Sequence, residues 1–448
     1  MVFDQIRSII NSSFVVFQFY KFGGYMLAIR GGEPVRKKKW PIWPPSDEHI
    51  KDNIVDVIES NRWTIRGWYT GKKSLQTQFS SRFAKFNQTK HCVLVNSGSS
   101  ALQIALEALD VGYGDEVIVP IYTWIATAIA VLNVNATPIF VDADPITGCI
   151  NPQEIVEKIT PRTKVIIPVH LHSSLADMEA IMDIAHRYNL YVLEDCAQAH
   201  GARYHEQFVG SIGHLGAFSM NQEKILPCGE GGAVITNDDD LLNRLCRLRA
   251  DGSAEKYEEP SIGDYELVDT PGLMGSNYCL SDFQAAVLLA ELDYVEERNR
   301  LRERNAKYLD KNLSQLCGLM PIRSSNGTTA RTYFKYAIMR SEESFSTINT
   351  SLICQALSAE LNFQIEQTEC QPLHKNFLYC PETKQKHHLN KAYMKKLDLS
   401  NKRFPIAEAH YENTFVFHHR ILLGTEEDMD DIVKAFVKVN QYHRQLIN

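Results

Sequence analysis

Apolar positions along this chain follow two alternating patterns from His91 onward. Short apolar runs are separated by stretches whose apolar residues recur at helical spacing. The runs predict strands over Cys92–Asn96, Glu116–Pro120, Pro138–Val141, Lys164–His170, Tyr191–Glu194, Ala217–Met220 and Ala233–Thr236. The stretches between them predict helices over Ser100–Leu109, Thr123–Leu132, Gln153–Ile159 and Asp177–Tyr188. In the last of these Met178, Ile181, Met182 and Ala185 share one face. Asn151-Pro152 supplies an N-cap followed by a proline in the first helical turn. Strands alternating with helices imply right-handed crossovers and a mostly parallel sheet covered on both faces, an α/β fold.

The pattern differs at both ends. Trp40-Pro41-Ile42-Trp43-Pro44-Pro45 excludes helix, because proline removes donors and restricts its neighbours. Helices are expected over Asp47–Ser60 and Ser74–Phe86. Between them lies an aromatic loop, Trp63–Gly71, which reads equally as a solvated connection or as a cleft wall. After Leu280 a long helical region, Ser281–Leu316, leaves the sheet. It is followed by a strand (Tyr333–Met339), a helix (Phe345–Leu361), strands near Phe363–Glu366 and over Phe415–Leu423, and a terminal helix. That helix starts at Thr425-x-x-Asp428. Thr383–Asn401 is polar and reads as a surface segment. The expected division is a loosely attached, disordered extension (1–25), an N-terminal arm with helices (26–90), a large α/β domain (91–280) and a smaller C-terminal α+β domain (281–448).

Composition narrows the function classes. With 448 residues, 44% hydrophobic and 23% charged, the chain is of ordinary globular type. A net charge of −7 argues against nucleic-acid binding. No apolar run approaches the ~18 residues of a membrane span, and the head lacks the pattern of a signal peptide. The ten cysteines contain no CxxC motif and suggest reduced thiols in a cytoplasmic protein. His418-His419 invites a metal assignment. Neighbours on a strand point to opposite faces, however, so a structural or substrate-contact role is expected there instead of a metal, and His374 reads as structural or as a cleft residue.

In parallel sheets ligands collect at the carboxyl ends of strands, and four such ends carry unusual residues. Asn96-Ser97-Gly98-Ser99-Ser100 could offer free helix-start amides to a phosphate, although a serine N-cap explains it too. Trp124 could stack on a planar ligand or fill the core. Asp195 follows an apolar strand and could meet a ring nitrogen or cap a helix, with Gln198 and His200 close behind. Lys224 lies in a polar loop between two strands, after Ser219 and before Gly229-Glu230-Gly231-Gly232. A buried lysine is costly unless paired or used chemically, and its free amine forms Schiff bases with carbonyls such as pyridoxal phosphate (PLP). A phosphate cradle, a stacking ring, a carboxylate and a lysine together match a PLP site better than any one of them does alone.

The chain resembles the PLP-dependent sugar aminotransferases of the DegT/DnrJ/StrS type. The segments that carry the resemblance are NSGSSALQIAL (Asn96–Leu106), YTWIATA (Tyr122–Ala128), LEDCAQAHGA (Leu193–Ala202), FSMNQEKILPCGEGGAVITND and GSNYCLSDFQAA (Gly275–Ala286). The resemblance implies fold type I, with a large, mostly parallel seven-stranded sheet. It implies Lys224 as Schiff-base lysine and proton shuttle, Asp195 at the pyridine nitrogen and Gln198 beside the ring's phenolic oxygen. Trp124 would stack on the ring, and Ser99, Ser100 and Ser219 would bind the phosphate. Asn277 would reach the phosphate of the other subunit, which implies a homodimer with shared sites. Cys279 and Asn221-Gln222-Glu223 depart from the family pattern, Cys279 standing where the family usually has Arg.

LAIRGGEPVRKKKWPIWP (Leu27–Pro44) and FHHRILLG (Phe417–Gly424) are similar to glutamine-dependent aminotransferases of keto-cyclitols such as scyllo-inosose, and to 3-amino-5-hydroxybenzoate synthase. The expected activity is transfer of an amino group from glutamine or glutamate to a keto-sugar or keto-cyclitol. The alternatives are an aromatising PLP synthase and a non-catalytic PLP-fold regulator. The intact Lys224/Asp195 pair disfavours the regulator.

Overall fold

A computed structural model of the chain describes residues 26–255, 260–341 and 348–447. The extension expected over residues 1–25 lies outside them, as does Phe345, the expected start of the helix that runs Thr350–Leu361.

Seven strands build the large sheet: β1 (His91–Val95), β2 (Glu116–Pro120), β3 (Thr137–Val141), β4 (Thr163–Ile166), β5 (Tyr191–Asp195), β6 (Leu215–Ser219) and β7 (Gly232–Thr236). Their order is β1-β7-β6-β5-β4-β2-β3. β7 runs antiparallel to both neighbours, and the other pairs are parallel. The apolar runs are buried because helices cover the sheet, as parallel crossovers require. β4 stops short of the expected His170. Pro168 has no N–H for the ladder, and the chain rejoins β5 only at the bridge between Val169 and Asp195.

Local signals set the helix starts. Asp47, Ser74, Ser97, Asn151 and Asp177 each accept a backbone N–H at the first turn of their helix. The expected helix Ser281–Leu316 is two helices. Asp282–Leu292 packs against Glu48–Ser60 and Leu75–Phe86 under the large core, and Val295–Leu313 passes to the second core.

That second core surrounds an antiparallel sheet of β8 (Leu319–Pro321), β9 (Lys335–Arg340), β10 (Glu366–Gln367) and β11 (Thr414–His418), in the order β8-β9-β11-β10. The terminal helix Glu426–Tyr442 opens with the capping box at Thr425 and buries Met429, Ile432, Val433 and Phe436. β11 is shorter than expected. The His418 ring accepts from Arg420 N, and His419–Leu423 turns into a 3₁₀ helix. The polar segment Thr383–Asn401 is also more than surface. Its helix Lys391–Leu397 seats Tyr393 and Leu397 on Leu132, and the Tyr393 hydroxyl donates to Ala136 O (2.7 Å).

Leu27 and Trp40 join the second core. The segment that carries them is fastened by buried charge. Lys438 Nζ donates to Glu360 Oε2 (2.9 Å) and Glu33 O (2.7 Å), and the Glu360 carboxylate accepts from Ala28 N (2.8 Å) and Val35 N (3.1 Å). Arg36 pairs with Asp428 (2.6 Å) and Asp431 (3.0 Å) while stacking on Trp40.

Candidate active site

The carboxyl ends of β5 and β6 lie side by side, with Asp195 paired to Ala217 in register. The loop from β6 to β7 carries Lys224 over them. Asp195 is buried. Its Oδ2 accepts from Thr127 Oγ1 (2.9 Å) and its Oδ1 from Ala197 N (3.2 Å). Both donors are neutral. Burial pushes its pKa up, and the N–H of Ala197, the Thr127 hydroxyl and the charge of Lys224 only partly offset this.

Lys224 is half-buried, its Nζ 4.0 Å from the centre of the Phe334 ring. Burial lowers its pKa, opposed by Glu369, Asp195 and Cys370 and reinforced by Lys335. A lowered pKa leaves more of the amine unprotonated and nucleophilic. Among the described residues no carboxylate closes to ion-pair distance on Lys224, so Lys224 and Asp195 act on one another only at longer range.

The loop is clamped from outside. Trp43 Nε1 donates to Gln222 O (3.0 Å), while His418 and His419 both donate through Nε2 to Glu223 O (3.2 and 3.1 Å). The two imidazoles therefore meet at one carbonyl, because the chain leaves the strand between them. The expectation that they point to opposite faces is overturned. Burial holds His418 down at about 3 and His419 well below its ordinary value, so both are neutral.

The Asn96–Ser100 turn meets the end of β6. A Cβ on Gly98 would lie 2.6 Å from Ser219 Cβ, and one on Gly232 would lie 2.3 Å from Ser97 O, so both positions need glycine. The contact sets the first amides of Gly98–Ala108 beside Ser219. Ser99 is exposed. The Ser100 hydroxyl is engaged by Asn96 Oδ1 (2.7 Å) and Ser97 Oγ (2.9 Å). Gln198 is buried, with Oε1 accepting from His172 N (2.6 Å), which leaves its amide N–H groups for a ligand. His200 is buried against Phe218, and burial pushes it down to about 3.

Trp124 is 47% exposed, which removes the core reading and leaves its ring free beside β2. Asn277 is also exposed and turns its amide oxygen to Cys279 N (3.2 Å). Its neighbour Tyr278 accepts from Asn96 N (2.8 Å). The Trp63–Gly71 loop pairs with residues 261–265 at the surface and is not joined to Lys224 by any contact among the described residues. A cleft of about 760 Å³ lined by Arg62, Lys72, Arg82 and Asp282 lies away from this chemistry.

Sequence reasoning missed Thr127, Phe334, Lys335, Glu369 and the Trp43–His418–His419 clamp. Thr127 was findable, since it lies one helical turn after Trp124. The others come from segments distant in sequence that no local periodicity connects.

The profile of the DegT/DnrJ/EryC1/StrS aminotransferase family matches residues 45–437. The chain belongs to this family. Among its relatives, L-glutamine:2-deoxy-scyllo-inosose aminotransferase of Micromonospora echinospora is 45% identical over 94% of this chain and 99% of its own length. L-glutamine:scyllo-inosose aminotransferase of Streptomyces griseus is 42% identical over 92% and 97%. The crystal structure of an aminotransferase from Psychrobacter cryohalolentis superposes with a TM-score of 0.77 at 29% identity, covering 92% of this chain and all of that one. 3-Amino-5-hydroxybenzoic acid synthase shares the fold, with a TM-score of 0.74 at 24% identity over 91% and 99% of the two chains.

This aminotransferase is therefore a PLP enzyme of fold type I. Its residues fit the cofactor. Asp195 is a buried carboxylate with two neutral donors and no cation at ion-pair distance among the described residues. A protonated ring nitrogen supplies that missing charge.

Proposed function

We propose that the enzyme moves the amino group of glutamine to a keto-cyclitol of the 2-deoxy-scyllo-inosose type. Relatives that bear that activity by name, 41–45% identical along nearly their whole length, support the substrate reading. The reading of the chemistry rests on Lys224 and Asp195 lying close enough for the charge of each to shift the pKa of the other.

When bound, PLP supplies an aldehyde that takes up the amino group and a ring that withdraws electrons from the reacting carbon. Lys224 Nζ holds the cofactor, then as a free amine lifts the proton from the donor's α-carbon and returns it on the far side of the transfer. Its lowered basicity suits both directions. Asp195 holds the ring nitrogen protonated, and Thr127 aims it. Ser219 and the amides at Gly98–Ser100 would hold the phosphate, with Ser99 and Ser100 in the same turn. Gln198 would offer its amide to the cofactor's phenolic oxygen, and Trp124 would stack on its ring.

The enzyme works as a homodimer in this proposal, with Asn277 completing the partner's phosphate site. The exposed Trp63, Trp68, Ile262, Tyr265 and Met274 support a covered face around that loop. Ten free cysteines support a cytoplasmic location, and no helix among the described residues is long and apolar enough to cross a membrane.

The test is to load the protein with PLP, add glutamine, follow the cofactor's absorbance, and then add 2-deoxy-scyllo-inosose and identify the aminated product by mass spectrometry. An absorbance change with glutamine and an aminocyclitol product are expected. No cofactor conversion with any amino donor would refute the activity, and an ultraviolet-absorbing aromatic product would replace it with the synthase. Light scattering of the loaded protein checks for twice the monomer mass.

A further inference from the structure

We propose that Glu369 is the specificity-determining residue for the acceptor, its unpartnered carboxylate oxygen taking hydrogen bonds from the hydroxyl groups of the cyclitol ring. This rests on the function proposed above.

Glu369 sits where the chain leaves β10 and crosses to the large core. The crossing is pinned on both sides. Thr368 N donates to Thr414 O (3.2 Å), and Leu373 N donates to Ile121 O (3.0 Å), just past β2. Thr368 Oγ1 bonds His172 Nε2 (3.1 Å), and Gln371 N closes a turn on Glu369 O (3.1 Å). With the backbone fixed, the side chain lies near enough to Lys224, Lys335, His172 and Cys370 for their charges to act on one another.

Its Oε2 is buried and has no hydrogen-bond partner. A buried carboxylate oxygen in that state is costly unless something donates to it. The neighbouring cations do not fill the role. Lys335 Nζ is taken by Glu366 (3.0 Å), and Lys224 stays beyond ion-pair distance and is committed to the cofactor in the loaded enzyme. Burial works against the charged form, but the charges of Lys335 and Lys224 and a backbone hydrogen bond within Glu369 itself hold the carboxyl below its usual value, so it is an anion and accepts only.

An anionic acceptor this near the Lys224 amine selects for donors without negative charge. A polyhydroxylated ketone offers hydroxyls, and charge-assisted O–H···O⁻ bonds are strong and directional. The α-carboxylate of an amino acid placed there meets like charge.

The test uses the PLP-loaded enzyme and its Glu369→Gln and Glu369→Ala variants, and reads the two half-reactions separately by cofactor absorbance. The reaction with glutamine is expected to stay within about twofold of wild type. The return reaction with 2-deoxy-scyllo-inosose is expected to lose about 10- to 100-fold in kcat/KM, chiefly through KM, and more in Ala than in Gln. Calorimetric binding of the unreactive scyllo-inositol to the amino form of the enzyme weakens by a similar factor. Equal losses in both half-reactions, or unchanged inositol binding, overturn the proposal. A loss confined to the glutamine half assigns Glu369 to the donor and overturns it as well. If wild type itself reacts with glutamine but not with cyclitol ketones, the substrate reading has failed independently of the variants.

Discussion

Two clusters of buried charge in this enzyme are built on opposite plans. Around Glu360, Lys438 and Arg36 every charge meets its opposite at hydrogen-bond distance, and backbone N–H groups take the remaining lone pairs. Around Lys224 the charges stand apart. Lys224 has no ion pair among the described residues, Asp195 has only neutral donors, and Glu369 keeps one oxygen unpartnered. The first cluster is complete and fastens the N-terminal segment to the second core. The second lacks such partners among the described residues. Buried charge of itself marks neither structure nor function, and whether its partners are already present separates the two.

Breaking each cluster sharpens the contrast. Lys224→Ala should lower amino transfer by more than about a thousandfold, read as product formed from glutamine and acceptor, while its denaturant midpoint stays at or above wild type because a desolvated amine has been removed. Glu360→Ala should do the reverse. It strands Lys438 in the core and costs about 3–5 kcal/mol of unfolding free energy by urea titration, with catalysis per folded molecule retained. The double variant Glu360→Leu/Lys438→Met should recover most of that loss, since both partners leave together.

Asp195→Asn tests the open cluster from its other side. Turnover should fall about 10²- to 10³-fold. The unloaded protein should gain on the order of 1 kcal/mol at neutral pH. The sign follows from the raised folded pKa: the ionised carboxylate costs stability at neutral pH, and the cost is relieved as pH falls through that raised value. The gain of the variant should therefore shrink in acid.

The smallest effect concerns the histidines. Burial depresses His172 to about 4 and His418 to about 3, so both are neutral when folded and charge on unfolding below the ordinary 6.5. Their contribution is complete above pH 6.5 and is lost as pH falls toward those values. Denaturant midpoints should decline over that window, and His418→Gln should flatten the decline.

Much of this was legible in the sequence because its causes are local. Apolar runs of strand length, the caps at Asp47, Ser74 and Asn151, and the box at Thr425 each act within a few residues, and they gave the large sheet and most helices. Lys224 and Asp195 stood out as candidates because one ends a strand and the other lies in the loop that follows its parallel neighbour. What failed depended on contacts between distant segments. Pro168 ends β4 early, yet the run reads on as strand. Tyr393 and Leu397 are buried only because Leu132 waits for them. Glu369 gave no signal, since an acid in an irregular segment looks solvated until the two cores close around it.

The shared carbonyl of Glu223 sets a rule for anyone reshaping this catalyst. Three rings drawn from opposite ends of the polypeptide, Trp43, His418 and His419, converge on two consecutive carbonyls just before Lys224. A library aimed at new acceptors should leave those rings untouched and vary the opposite wall. Diversity at the clamp would shift the lysine itself, and every clone would pay in chemistry before any gained in selectivity.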